Sequence, residues 1–71
     1  MISERLDKLI DEMVNRGVHF EDAVREFEKR FIIRILAQSK SSLKRTADAL
    51  GIHRNTLSRK MAEHKIRKRS T

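Results

Sequence analysis

The sequence predicts an all-α chain of four helices, in which the last pair forms a helix-turn-helix and the first pair holds two copies together. Three observations carry this reading. Apolar residues recur at threes and fours and nowhere alternate, so the periodicity is helical. The 71 residues contain no proline, and only two glycines, Gly17 and Gly51, punctuate them. Charge is divided along the chain: residues 1–33 carry six Lys/Arg against eight Asp/Glu, a balance of −2, whereas residues 34–71 carry eleven against two, a balance of +9. A part that folds or associates therefore precedes a part suited to a polyanion.

The first helix is expected to start after Ser3 as N-cap, with Glu4 and Asp7 favourably placed in the dipole field, and to end near Gly17 as the C′ residue. Its apolar face is Ile2, Leu6, Leu9, Ile10, Met13 and Val14. The second helix is expected from His19 or Phe20 to about Ala37. Phe20, Val24, Phe27 and Phe31 form one stripe with Ala23 beside it, and Ile32, Ile33, Ile35 and Leu36 widen the apolar surface until the last turns are apolar nearly all round. Such a helix must be covered nearly all round. Two short helices cannot supply that cover in a chain this small, so the second helix is expected to pack against its equivalent in a second copy through Phe20, Val24, Phe27, Phe31, Ile32 and Ile35, the alternative being that Phe27, Phe31 and Ile35 only fill a monomeric core.

Gln38 to Ser42 reads as a polar connection, with Ser41 or Ser42 available to cap the next helix. A third helix is expected over Leu43–Leu50 and a fourth from Arg54 to about His64, separated by Gly51-Ile52-His53. A tight turn between steeply crossing helices needs a residue tolerant of positive φ, which Gly51 supplies, and Ala47 one turn earlier permits close approach. Leu50, Ile52, Leu57 and Met61 are expected beneath the corner. Arg54, Asn55, Ser58, Arg59 and, toward the flank, Lys60 are expected on the outer face of the last helix. A cationic helix carried on such a corner is how a protein addresses the major groove of DNA.

Composition narrows the alternatives. Without cysteine there is neither a disulfide framework nor a thiolate metal site. No apolar run approaches the roughly 18 residues of a membrane span, and the acidic start MISERLDKLIDE does not resemble a secretory leader. His19, His53 and His64 fall on different elements without a ligand cluster, and there is no nucleophile-base set or phosphate loop, so no enzyme, metal, cofactor or small-molecule ligand is expected. Each histidine is read as a surface residue, with His53, next to Arg54, the one placed to touch DNA. RNA is disfavoured by the shortage of aromatics for base stacking. A protein-interaction adaptor or antirepressor, whose basic helix meets an acidic partner, is the competing reading.

The segment GIHRNTLSRKM resembles the G-[IV]-x-R-x-T-L-x-[RK]-K-[LM] signature of Fis-type DNA-binding domains, found in nucleoid-associated proteins and at the C-termini of NtrC-type enhancer-binding activators. The general pattern places a late apolar residue where this chain has Lys60, and Met61 is expected to take over that packing. The resemblance covers roughly residues 20–66 and is strongest from Arg45 to Met61, with FEKRFIIRIL similar to the long dimerising helix of that family. It implies a homodimer whose first two helices intertwine with those of the partner into a four-helix bundle, presenting two recognition helices to bent duplex DNA. Residues 1–38 would then be the dimerising part and residues 39–71 the DNA-binding part of one compact domain.

Matched position by position, Arg54 is implied as a base-edge contact. Thr56, Arg59 and Lys60 are implied at phosphate, with Arg59 able to reach a base, and Asn55 at phosphate or as a cap. Ser42, Lys44 and Arg45 open the third helix, where that family meets the DNA backbone. The chain departs from the family twice. Its usual glycine-asparagine approach to the third helix is SKSS here, and its usual tyrosine-glycine ending is His64-Lys65. The tail RKRST is expected to add phosphate contacts or to remain solvated. With only Met1 and Ile2 ahead of the first helix, the arm through which the family's nucleoid member stimulates recombination is expected to be missing, and neither an ATPase nor a receiver domain is expected. The resemblance implies a transcriptional regulator or nucleoid-associated factor in the cytoplasm.

Overall fold

The computed structural model describes residues 1–67. Its four helices are, in order, α1 Ile2–Asn15, α2 Phe20–Gln38, α3 Leu43–Leu50 and α4 Arg54–Glu63. The chain is all-α over the described residues, as the periodicity requires. Helix α1 begins two residues earlier than expected. Its N-cap is Met1 with no side-chain cap, so Ser3 lies inside the first turn instead of capping it.

All four helices end in the same way, with an amide two or three positions past the last helical residue reaching back to a carbonyl that the helix leaves free. The bonds are Val18 N–H to Met13 C=O at 3.0 Å, Ser41 to Leu36 at 3.0 Å, Ile52 to Ala47 at 3.1 Å and Ile66 to Met61 at 2.8 Å. Each closure needs a left-handed residue just before that amide. Gly17 (φ 74°) and Gly51 (φ 72°) take it without steric cost, whereas Lys40 (φ 53°) and Lys65 (φ 55°) take it with a Cβ present. Ser41 is left-handed as well, at φ 63°. These lysines and Ser41 stand where the resembled family favours glycine or asparagine, residues that adopt this conformation most easily.

The core lies under the corner. Ile32 and Leu36 of α2, Ala47 of α3, and Leu57 and Met61 of α4 are buried together, with Leu43, Leu50, Ile52 and Ile66 packed against them. Leu57 is fully enclosed. Met61 takes the packing position vacated by Lys60, as expected. Thr46 is equally enclosed, and its hydroxyl donates to the Ser42 carbonyl at 2.7 Å, which satisfies the one buried polar side chain of the core. Ile32 departs from the sequence reading. It is 2% exposed and faces the chain's own core, so it cannot also lie on the surface offered to a second copy.

The first half is built differently. No residue of α1 is buried. Along α2, Phe20, Val24, Phe27 and Phe31 point outward, Phe27 and Phe31 being 59% and 47% exposed with ring centroids 5.5 Å apart. Ile35 and Met13 are half-buried, and Leu6 and Leu9 are exposed. The apolar stripe that predicts a partner is thus left open by the single chain.

Candidate nucleic-acid interface

The candidate residues lie on two helix starts and one helix face. Helix α3 starts at Ser42, whose Oγ accepts the Arg45 N–H at 3.3 Å. Of the two serines offered by the sequence, Ser42 is therefore the cap, and its hydroxyl is already engaged. Lys44 and Arg45 project from this first turn and are exposed. The turn at Gly51 then carries the chain through Ile52 to His53, the N-cap of α4, whose Nδ1 accepts the Asn55 N–H at 3.0 Å. In this bond the ring serves as an acceptor through the Nδ1 lone pair. An open cleft between the two helices is lined by Lys44, Ala47, Asp48, Ile52, His53 and Arg54.

At roughly 100° per residue, the side chains of α4 sort into two faces. Arg54, Ser58, Asn55 and Arg59 fall on one side and are all exposed. Leu57, Met61 and His64 fall toward the core, and Thr56 is half-buried between the faces. Among the described residues the ion pairs are Arg30–Glu26, Lys60–Glu28 and His64–Glu28, so Lys44, Arg45, Arg54 and Arg59 carry no carboxylate partner there. Lys44 and Arg54 line the same cleft between α3 and α4, Arg59 stands with Asn55 and Ser58 on the exposed face of α4, and Arg45 is exposed on the first turn of α3. Unpaired arginines and lysines beside helix starts, where amide groups carry positive partial charge, suit a phosphate-bearing surface.

Two sequence-based assignments need correction. Lys60, expected with Arg59 on the phosphate-facing side, lies nearly opposite the exposed face and points to α2, its Nζ 3.0 Å from Glu28 Oε1. His64, expected at the surface, has a side chain only 5% exposed, with Nε2 2.9 Å from the same Glu28 oxygen. Hydrogen bonds from His64 and then Lys60 hold the Glu28 carboxyl below its ordinary value of 4.5. Sequence reasoning missed Glu28 entirely. The local signal was slight: Glu28 lies four residues from both Val24 and Ile32, and Lys60 and His64 are four apart beside Leu57 and Met61. Of the tail RKRST, residues 68–71 lie outside the described residues, and Arg67 is exposed.

Among the described residues no helix is long and apolar enough to cross a membrane, and no three His, Asp or Glu side chains gather as a metal site. Comparison with known families gives one match: the model for bacterial regulatory proteins of the Fis family covers residues 23–64, from the middle of the apolar stripe to the histidine that closes α4. No curated protein and no solved structure matches the chain.

Proposed function

The chain belongs to the Fis family of bacterial regulatory proteins, and from that premise we propose that it is a homodimeric, DNA-bending regulator of transcription or nucleoid structure, acting in the cytoplasm on duplex DNA. The outward face of α4 is the observation that carries this reading. Arg54 is placed for a base edge in the major groove, where arginine can grip guanine through two hydrogen bonds. Arg59, Lys44 and Arg45 neutralise phosphates, Thr56 and Ser58 approach the sugar-phosphate backbone, and Asn55 stands beside them. Ser42 contributes through its capped helix start, because its hydroxyl serves Arg45. His53 acts from behind Arg54, fixing the first turn of α4.

Residues 1–38 supply the dimerising surface and residues 39–71 the reader, the two sharing the last turns of α2 through Ile32 and Leu36. Leu6, Leu9, Met13, Phe20, Val24, Phe27, Phe31 and Ile35 would close the bundle, and the open stripe on α2 supports this. If four to eight cations of a dimer each displace a counterion, log K for duplex should fall with log salt with a slope of roughly −4 to −7. Fluorescence anisotropy on duplex across a salt series measures it. Replacing Arg54 and Arg59 together by alanine should abolish binding while the dimer persists. Retention of duplex affinity in that double variant contradicts the groove assignment.

A further inference from the structure

Glu28, Lys60 and His64 are not explained by a DNA-facing surface, because all three turn away from it. Their contacts are the only side-chain hydrogen bonds between different helices among the described residues, and they span 32 and 36 positions of sequence. One carboxylate oxygen, Oε1 of Glu28, receives both the Lys60 ammonium and the His64 ring nitrogen. The two donors are one turn apart on α4, so a single atom of α2 fixes both the height and the rotation of α4 at this point. Glu28 follows Phe27 directly and lies one turn after Val24, which places the same carboxylate at the edge of the stripe proposed to meet the second copy. Phe20, Glu21, Val24 and Arg25 of α2 and Glu63 of α4 line an open groove around it.

We propose that the Glu28–Lys60–His64 junction is a specificity-determining joint that sets the angle between the recognition helix and the dimer stripe, and through it the half-site spacing the dimer accepts. The inference rests on the dimeric DNA-binding reading above and adds what tunes it. Helix α4 has ten residues, so it is ~15 Å long, and a tilt of roughly 13° moves its far end by about one base-pair step of ~3.4 Å. Two hydrogen bonds converging on one oxygen, at 3.0 and 2.9 Å, restrain α4 against such a displacement. Half-site spacing is a geometric consequence of how recognition helices are held, so loosening the joint should broaden spacing without changing which bases each helix prefers.

The test is selection from a random duplex pool by the full chain, reading the preferred bases and the separation of half-sites together. The wild type should return one dominant spacing. Lys60→Met, which keeps the unbranched stem and removes the charge, and Glu28→Gln should return the same half-site bases at spacings spread over about one or two neighbouring base-pair steps. Lys60→Arg, which preserves the ion pair, should restore the single spacing. If Glu28→Gln fails to fold by circular dichroism, Lys60→Met carries the test alone. A merely structural role predicts weaker binding by the same factor at every spacing, and that outcome overturns the proposal. If the wild type enriches isolated half-sites, the dimeric reading fails and the joint falls with it. If the wild type enriches no duplex, DNA binding itself fails, a result distinguishable from the other two.

Discussion

The two halves of the chain dispose of their apolar residues in opposite ways. In the corner, Ala47, Leu57 and Met61 are buried with two residues of α2, and the buried threonine has its hydrogen bond. Along α1 and the outer face of α2, an equally regular stripe of leucine, isoleucine, valine and phenylalanine stays in solvent. Both obey the same helical periodicity; what differs is whether the chain contains the opposing surface. A chain of this size can close one small core, and here that core is spent on orienting α4. The amphipathic surface left over is the one the proposed dimer would cover, since a second copy would offer a matching stripe by symmetry.

Charging the stripe should have the largest effect. Phe27→Glu should weaken self-association by about 4 kcal/mol or more, a thousandfold, because a carboxylate would be buried without a partner. Sedimentation velocity checks this, and far-UV dichroism should show the helices of the corner retained. Leu57→Ala attacks the other half. It should cost about 3 kcal/mol of stability through a cavity in the enclosed core, read by chemical denaturation, with both association and DNA binding lost as the corner opens. Arg54→Ala touches neither core nor stripe: duplex affinity should fall roughly tenfold to a hundredfold and base preference at one position should relax, while melting is unchanged.

Smaller effects lie at the seams. Because hydrogen bonding lowers the Glu28 pKa in the folded chain, its stabilisation is present above 4.5 and is lost as pH falls below that value through the lowered folded pKa. With the carboxylate partly solvated the effect is smaller than that of the core and stripe substitutions. Denaturation at descending pH should show the loss in the wild type, and Glu28→Gln should remove that part of the acid sensitivity. Lys40→Gly and Lys65→Gly should each raise stability by roughly 0.5 kcal/mol, since glycine adopts the left-handed conformation without the Cβ penalty and the relief exceeds the added chain entropy. A fall in the denaturation midpoint for both would contradict the reading of those helix ends.

How legible each part was in the sequence depends on the range over which its cause acts. The corner was legible because Ala47, Gly51 and Leu57 are fixed by neighbours a turn away, and all four helices and their near-boundaries come from such local spacing. The family resemblance pointed to the same stretch that the Fis-family match covers. The start of α1 was misplaced because a serine near a helix start reads as a cap whether or not the backbone uses it. Lys60 and His64 were misassigned because their partner is more than thirty positions away, and the one local hint, two basic residues four apart beside Leu57 and Met61, does not name Glu28 as that partner. Ile32 was given to the partner surface for a related reason: on a helix apolar nearly all round, periodicity cannot say which side faces the chain's own core.

The contrast between a closed corner and an open stripe reduces to how many chains travel together. Sedimentation equilibrium of the wild-type chain at micromolar concentration measures that without reference to any DNA sequence. A species of twice the 8.4 kDa chain mass is expected, reverting to a single chain in Phe27→Glu. A wild-type species at 8.4 kDa across the whole concentration range would contradict a stripe built for a second copy.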